Sequence, residues 1–149
     1  MQEVKKHCVL NSADFSAFME RVDAAQDKFA DQSADEFKKL WSHSDDVTLF
    51  GGHGGRVECG WENVAGRLEW SSSTYRQADR GSEFISGCVC ADFAYIVRRE
   101  FIEAWIGNEP VRRTQELRVT MVFRRERDGW RIVHRHADSQ TEKSCGDQL

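Results

Sequence analysis

The second half of the chain is a succession of long β-rich segments joined by short turns, and this pattern limits the possible folds more than any other feature. The segments read EFISGCVC, DFAYIVRREFIEAW, RRTQELRVTMVFRRE and WRIVHRHA, and the whole chain contains a single proline. The last two are joined by RDG, a hairpin-type turn that makes neighbouring strands antiparallel. The sequence therefore predicts a meander of long antiparallel strands from about residue 83 to residue 137.

The first half has helical periodicity instead. Ser12 can cap a first helix, Ser33-x-x-Glu36 is a capping-box pattern for a second and shorter one, and a third helix begins near Gly60. The apolar stripe of the first helix consists of Phe15, Phe18, Val22, Ala25 and Phe29. A short strand, DDVTLF, ends in GGHGG, and RQADRGS is predicted to be a turn. Helices followed by a strand meander indicate an α+β fold.

Length and composition suit one globular domain. The 149 residues are 40% hydrophobic and have a net charge of -4, which gives no general basic surface for nucleic acid. No apolar run approaches the roughly 20 residues of a membrane span, and the N-terminal residues lack the apolar core of a signal peptide. We therefore expect one cytoplasmic domain over residues 1–149, with a core at about 12–139, flexible termini at 1–11 and 140–149, and neither nucleic acid nor membrane as partner.

Several segments resemble a known family. LWSHSDDVTLFGG, GWENVAGRL, ADFAYIVRRE and LRVTMVFRRERDGWRIVHRHAD resemble the SnoaL-like branch of the nuclear transport factor two-like superfamily, over roughly residues 12–139. The C-terminal part also resembles the association domain of calcium/calmodulin-dependent protein kinase. The resemblance implies three N-terminal helices on a strongly curved mixed or antiparallel sheet, a cystatin-like roll that forms a cone. It also implies a pocket between the helices and the concave face, and a homodimer joined through the sheet.

The same superfamily includes isomerases, aldol cyclases, dehydratases and oligomerisation hubs, so the resemblance does not fix the function. Ketosteroid isomerases in it use a carboxylate just past the first strand, and that position falls at about Gly51 here. They also use a tyrosine from the first helix, and DFSAFMERVDAAQDKF contains none. Steroid-isomerase chemistry is therefore not expected. Cyclases of the SnoaL type use one Asp with pocket histidines, and the candidates for this role are Asp92, Asp138, His53, His134 and His136.

Alternation along the last strand leaves two arrangements open. It sends His134 and His136 to one side, with Trp130 and Ile132, and it sends Arg135 to the other. If the histidine side faces the cavity, an imidazole can transfer protons there. If it faces outward, the histidines lie in the dimer interface, and Arg135 lines the cavity.

In the second arrangement Arg118 accompanies Arg135, and both arginines suit an anionic ligand such as a carboxylate. A metal site needs a third ligand that no spacing fixes, so neither a metal nor a cofactor is expected.

The sequence thus predicts a SnoaL-like small-molecule-binding protein with a cone-shaped pocket and a small organic ligand that is partly apolar and, in one arrangement, acidic. The alternatives are a cofactor-independent isomerase, cyclase or dehydratase that uses a His–Asp pair, and an oligomerisation module. The predicted catalytic residues are His134, His136 and Asp92. The predicted ligand-binding residues are Trp61, Tyr95, Arg118, Thr120, Arg135 and His53.

Overall fold

The computed structural model describes residues 12–141, which form one curved but open sheet with helices on its concave side. The helices are α1 (Ala13–Ala30), α2 (Asp35–Lys39) and α3 (Trp61–Ser73). The strands are β1 (Thr48–Phe50), β2 (Glu58–Cys59), β3 (Tyr75–Val89), β4 (Phe93–Ile106), β5 (Arg113–Glu126) and β6 (Gly129–Ser139). Their spatial order is β2-β1-β6-β5-β4-β3, and only the β1–β6 pairing is parallel. The predicted α+β fold with a strand meander is confirmed.

Helix α1 covers the concave face of the sheet with its apolar stripe. The Ser12 hydroxyl accepts a hydrogen bond from the backbone N–H of Phe15, as the predicted cap requires. The ring of Phe15 lies edge-on to Phe123 and Trp130, with centroids 5.1 and 5.3 Å apart. Each such buried aromatic contributes roughly 1.5–3 kcal/mol through the water it excludes, so this contact fixes α1 on the sheet.

Two local predictions are wrong. The second helix has no side-chain cap, because its N-cap residue is Ala34 rather than the predicted Ser33. The segment RQADRGS is part of β3 rather than a turn, because it pairs with the far half of β4. Register shifts in β3 bend the strand instead of ending it. The polar residues that suggested a turn therefore lie on a long, bent edge strand.

A bulge in β6 decides which side chains face the interior. The pairing of β5 with β6 slips between Val122 and Phe123, so Val133 is an extra residue in β6. The buried residues of β6 are consequently Trp130, Ile132, Val133, Arg135 and Ala137. The strict alternation that placed Trp130 and Ile132 on the histidine side is wrong, because the bulge reverses it. The histidines face the convex side of the sheet.

None of the helices between residues 12 and 141 is long and apolar enough to cross a membrane. The predicted flexibility of residues 1–11 and of nearly all of 140–149 concerns positions outside the described residues. The cytoplasmic location stays a prediction.

Candidate functional site

The interior of the cone contains a small cavity between α1, α3 and the concave face. Its volume is about 40 Å³, which is room for one or two water molecules or a small polar group and far less than a ring-sized ligand needs. Its walls are partly apolar and partly charged. They are formed by Gln26, Phe29, Phe37, Leu49, Gly51, Gly52, Arg67, Leu68, Ser71, Tyr75, Arg80, Glu100, Ile102, Leu117 and Arg135.

A carboxylate at the base of this cavity is almost completely shielded from water. Glu100, from β4, is 1% exposed, and Arg135, from β6, holds it through two hydrogen bonds of 2.7 and 3.1 Å. Arg98 donates its Nε–H to the same carboxylate at 2.8 Å, and the Gln26 amide approaches it at 3.4 Å. A buried carboxylate is tolerated only when it is paired in this way.

The cluster extends outward to α1 and is balanced in charge. Arg98 donates to Asp23 at 2.7 Å, and Arg80 donates to Asp27 at 3.0 Å. The side-chain oxygen of Gln26 accepts from Arg80 at 3.1 Å and also from Arg98. The three guanidinium groups of Arg80, Arg98 and Arg135 thus face three carboxylates, those of Glu100, Asp23 and Asp27.

Glu100 and Tyr75 do not titrate near neutral pH. Burial alone raises the pKa of Glu100, but the charges and hydrogen bonds of Arg135 and Arg98 outweigh it and hold the pKa well below the ordinary carboxylate value. Burial raises the pKa of Tyr75 to about 12, and its hydroxyl donates to the Gln115 side chain at 2.9 Å. Glu100 is therefore ionised and Tyr75 neutral over the physiological pH range.

His53 lies at the edge of this region, in the loop of residues 51–55. Its Nε2 is 3.3 Å from the Thr74 hydroxyl, and its ring centroid is 5.4 Å from that of Tyr75. Burial lowers the pKa of His53, and the nearby charges of Arg67 and Arg113 lower it further. The imidazole is therefore neutral at pH 7. Of the predicted ligand-binding residues, Arg135 lines the cavity, and His53 lies beside it.

His134 and His136 lie on the convex face, next to β1. The Thr48 hydroxyl is 2.7 Å from His134 Nδ1, and Phe50 presents its ring to both imidazoles. Burial lowers the pKa of His134, and the neighbouring His136 lowers it further. The histidines thus face outward and Arg135 lines the cavity, as in the second predicted arrangement, whereas the dimer interface stays a prediction.

Three other predicted ligand-binding residues share the convex face. Tyr95 is exposed there, and Arg118 and Thr120 line a shallow groove of about 330 Å³ together with His136 and Asp138. Arg118 donates two hydrogen bonds to the Asp138 carboxylate in this groove, at 2.7 and 2.9 Å. The expectation that Arg118 accompanies Arg135 in the cavity is therefore wrong. Neighbouring residues of β5 alternate between faces, and Arg118 lies on the outer one.

The remaining predicted residues lie apart from one another. Trp61 stacks on His43 at the start of α3, with ring centroids 3.9 Å apart, and is not part of the cavity wall. Asp92 is exposed in the β3–β4 turn, where its backbone carbonyl accepts from the N–H of Arg125. Asp92 and the two convex-face histidines are therefore not brought together. Within residues 12–141 no group of three His, Cys, Asp or Glu side chains could hold a metal ion.

The cluster around Glu100 was missed by sequence reasoning, although a signal for it exists. In β4 the inward positions read Ala94, Ile96, Arg98, Glu100, Ile102 and Ala104, so two charged residues interrupt an apolar row. Charged side chains on the buried face of a central strand require partners, which indicates a polar site. The adjacent pair Arg98 and Arg99 concealed this signal, because it resembles a solvated edge.

Solved structures share this architecture. A Thiobacillus denitrificans protein assigned to the calcium/calmodulin-dependent protein kinase type II association domains is 25% identical, with a TM-score of 0.69 over 85% of this chain and 94% of that one. A nuclear transport factor 2-like superfamily protein from Salmonella enterica is 20% identical, with a TM-score of 0.70 over 91% and 94%. A ketosteroid isomerase-like protein from Erwinia carotovora is 14% identical, with a TM-score of 0.69 over 87% and 98%.

These structural similarities show that the chain has the nuclear transport factor 2-like roll, a cystatin-like fold. The model of the SnoaL-like domain matches residues 19–139, and the chain belongs to that family. The resemblance expected from the sequence is confirmed. None of the curated proteins compared with the chain matches it.

Proposed function

We propose that this protein binds a small organic molecule inside the cone and acts as a binding module. The observation that supports this most directly is the cavity itself, where the apolar side chains of Leu49, Leu68 and Leu117 face the polar groups of Tyr75 and Arg135. Small-molecule sites typically combine apolar walls with a few convergent polar groups. Because the cavity is small, only a polar head group enters it, and the rest of the ligand extends toward the loop of residues 51–55.

The protonation states of the cavity favour binding over proton transfer. A general acid or base works best when its pKa is close to the working pH. The pKa of Glu100 lies far below neutrality and that of Tyr75, at about 12, far above it. Groups of this kind offer fixed charges and hydrogen bonds to a ligand, but they neither take up nor release protons readily.

An enzyme of the isomerase or cyclase type is the second candidate, and the ketosteroid isomerase-like neighbour is consistent with it. A specific pair supports it: His136 Nε2 lies 3.7 Å from an Asp138 oxygen beside the convex groove. Hydrogen bonds from Arg118 lower the pKa of Asp138, however, which makes this carboxylate a weak base. The binding interpretation therefore has the stronger support.

A homodimer joined through the convex face belongs to the same proposal. Phe93, Tyr95 and Phe101 expose large aromatic surfaces on one side of β4, which is unusual for a face that remains in water. A two-fold pair would cover both copies of this surface with each other. The name of the Thiobacillus neighbour, an association domain, is consistent with assembly through this fold.

Thermal-shift measurements with short-chain carboxylates, amides, alcohols and cyclic ketones test the binding proposal. A ligand that binds the folded state raises the melting temperature in proportion to the logarithm of its concentration over Kd. Ser71 forms part of the cavity wall on α3. Ser71→Met should fill the cavity and abolish the shift in melting temperature. Ser73→Met, two residues further on the exposed side of the same helix, is the matched control and should retain it.

The outcomes are distinct. A shift that persists in Ser71→Met means that the ligand binds outside the cavity, and loss of the shift in Arg118→Ala would then point to the convex groove. If no compound in the panel stabilises the wild-type protein at millimolar concentration, the proposal that the cone is a binding site is wrong.

A further inference from the structure

One charge at the cavity remains uncompensated. Arg80, Arg98 and Arg135 are paired with carboxylates, but Arg67, from α3, has no carboxylate within 4 Å among residues 12–141. Arg113, whose charge acts on His53 as that of Arg67 does, is paired with Glu109. The three guanidinium groups of the cluster cancel its three carboxylates, so the cavity and the cluster together carry one net positive charge, which belongs to Arg67.

Arg67 also has an unsatisfied donor. Its Nε is buried, and no acceptor for it occurs in the part of the chain that the structure describes. Three other buried side-chain nitrogens share this condition. Two are tryptophan ring nitrogens, and the third belongs to Arg99, whose guanidinium has Glu83 and Glu116 as carboxylate partners. A buried N–H without an acceptor is costly, so Arg67 lacks a counter-charge, and its Nε–H lacks a hydrogen-bond partner.

The glycine-rich loop GGHGG surrounds part of this guanidinium. A Cβ at Gly51 would lie 2.7 Å from Arg67 Nη2, and a Cβ at Gly55 would lie 3.1 Å from Nη1. The Nη2 group donates to the carbonyl of Gly54, and the guanidinium lies 5.0 Å from the Trp70 ring centroid. The loop and the tryptophan thus hold the guanidinium in one place, which lowers the entropy cost of using it.

The position of the loop connects this charge to solvent. Gly51 and Gly52 line both the interior cavity and an outer groove of about 330 Å³ that also contains His53 and Arg113. Arg67 lines the interior cavity and lies next to Gly51, which separates the cavity from the groove. The neutral imidazole of His53 adds no charge that competes with the guanidinium.

We propose that Arg67 binds the carboxylate group of a small monocarboxylic acid at the mouth of the cone. A guanidinium pairs with a planar carboxylate through two parallel hydrogen bonds, and the unsatisfied Nε–H is one of the donors that this geometry requires. The single uncompensated charge matches a monoanion. This proposal rests on the proposed function, because it names the ligand class and the residue that selects it.

The test compares acids with neutral molecules of the same shape. Acetate, propionate and butyrate are titrated into the full chain, followed by ¹H–¹⁵N NMR, with acetamide, propionamide and butyramide as isosteric controls. A charge-assisted pair should make each acid bind at least about tenfold more tightly than its amide.

Two variants and one control assign the effect to Arg67. Arg67→Gln removes the charge, and Gly51→Ala keeps it but displaces the guanidinium with the new Cβ. Both should weaken acid binding about tenfold or more and leave amide binding nearly unchanged. Gly66→Ala is the matched control, because it lies on α3 beside Arg67 and its Cβ meets no atom within 4 Å. It should bind like the wild-type protein.

The results separate the two proposals. If acids and amides bind equally well and Arg67→Gln changes neither affinity, the cone binds small molecules but Arg67 does not select them, and this inference is overturned. If neither acids nor amides bind, and the broader compound panel also fails, the proposed function itself is wrong. Selective loss of acid binding in both Arg67→Gln and Gly51→Ala supports both.

Discussion

At the scale of single residues, the balance between Glu100 and its arginines dominates the interior. A carboxylate that is 1% exposed is stable only because Arg135 and Arg98 offset the loss of water around it. The same pairing keeps the cavity polar without making it reactive. Any change in this cluster therefore affects folding before it affects binding.

Removing Arg135 should destabilise the protein strongly. Arg135→Met leaves Glu100 with Arg98 and the Gln26 amide, and breaking a buried pair from one side typically costs about 3–5 kcal/mol. The double variant Arg135→Met with Glu100→Leu should recover part of this loss, because no unpaired charge remains. Urea denaturation measures both changes. If the double variant is less stable than the single one, the pairing is not what stabilises Glu100.

The same carboxylate should make stability depend on acidity. Its pKa is lower in the folded state than the ordinary value of 4.5, so its stabilising contribution is complete above about pH 4.5 and declines as the pH falls further. The stability difference between wild type and Glu100→Gln should therefore be greatest at neutral pH and shrink below pH 4.5. Glu116→Gln, an exposed position of β5, is the control. A difference that is constant from pH 7 to pH 3 would contradict this prediction.

Residue-level prediction succeeded where alternation is regular. In β5 the buried residues are Gln115, Leu117, Val119, Met121 and Phe123, which share one face as the period of two predicts. The prediction failed in β6, because no feature of the segment WRIVHRHA indicates that Val133 is an extra, unpaired residue. A bulge depends on how two strands pair, and a single strand's composition does not contain that information.

At the scale of elements, this bulge determines which chemistry faces inward. Deleting Val133 would remove the extra residue and leave a regular ladder in which His134 still faces outward and Arg135 still faces Glu100. We therefore expect the deletion variant to unfold cooperatively, with a stability lowered by the loss of the buried Val133 side chain. Deleting Asn108, in the exposed β4–β5 turn, shortens the chain equally and should be tolerated. Circular dichroism during thermal unfolding measures both variants, and loss of cooperative unfolding in the Val133 deletion alone would show that the bulge itself is required.

The glycine loop illustrates a second limit of prediction from elements. GGHGG was correctly placed after the first strand, which ends at Phe50. The contact between this loop and Arg67 could not be predicted. The loop and Arg67 are distant in sequence, and they meet only because α3 packs beside β1. Contacts of this kind follow from the tertiary fold rather than from local patterns.

At the scale of the whole molecule, the order of elements predicted the fold class, and the resemblance of several segments to the SnoaL-like branch predicted the family. Three helices followed by long antiparallel strands admit few arrangements, and the family match over residues 19–139 agrees with them. The volume of the cavity was not predictable, because it depends on the side chains of Arg135, Glu100 and Gln26 that occupy the cone.

The proposed dimer is tested at this scale. Tyr95→Glu places a charge in the middle of the exposed aromatic surface of β4 and should convert a dimer into a folded monomer. Val111→Glu changes an exposed apolar residue in the β4–β5 turn, away from the aromatic surface, and should leave the assembly unchanged. Analytical ultracentrifugation at micromolar concentration measures both. A wild-type protein that sediments as a monomer would contradict the dimer, whereas the proposed binding site could remain.

The central claim is that the interior of the cone, and not the convex face with its histidines, is the ligand site. It is tested most directly by mapping amide chemical shifts during a propionate titration. We predict saturable changes at Gly51, Gly52 and Leu68, with little change at Thr120 and His136. Changes concentrated at Thr120 and His136 would place the site in the convex groove and contradict the claim.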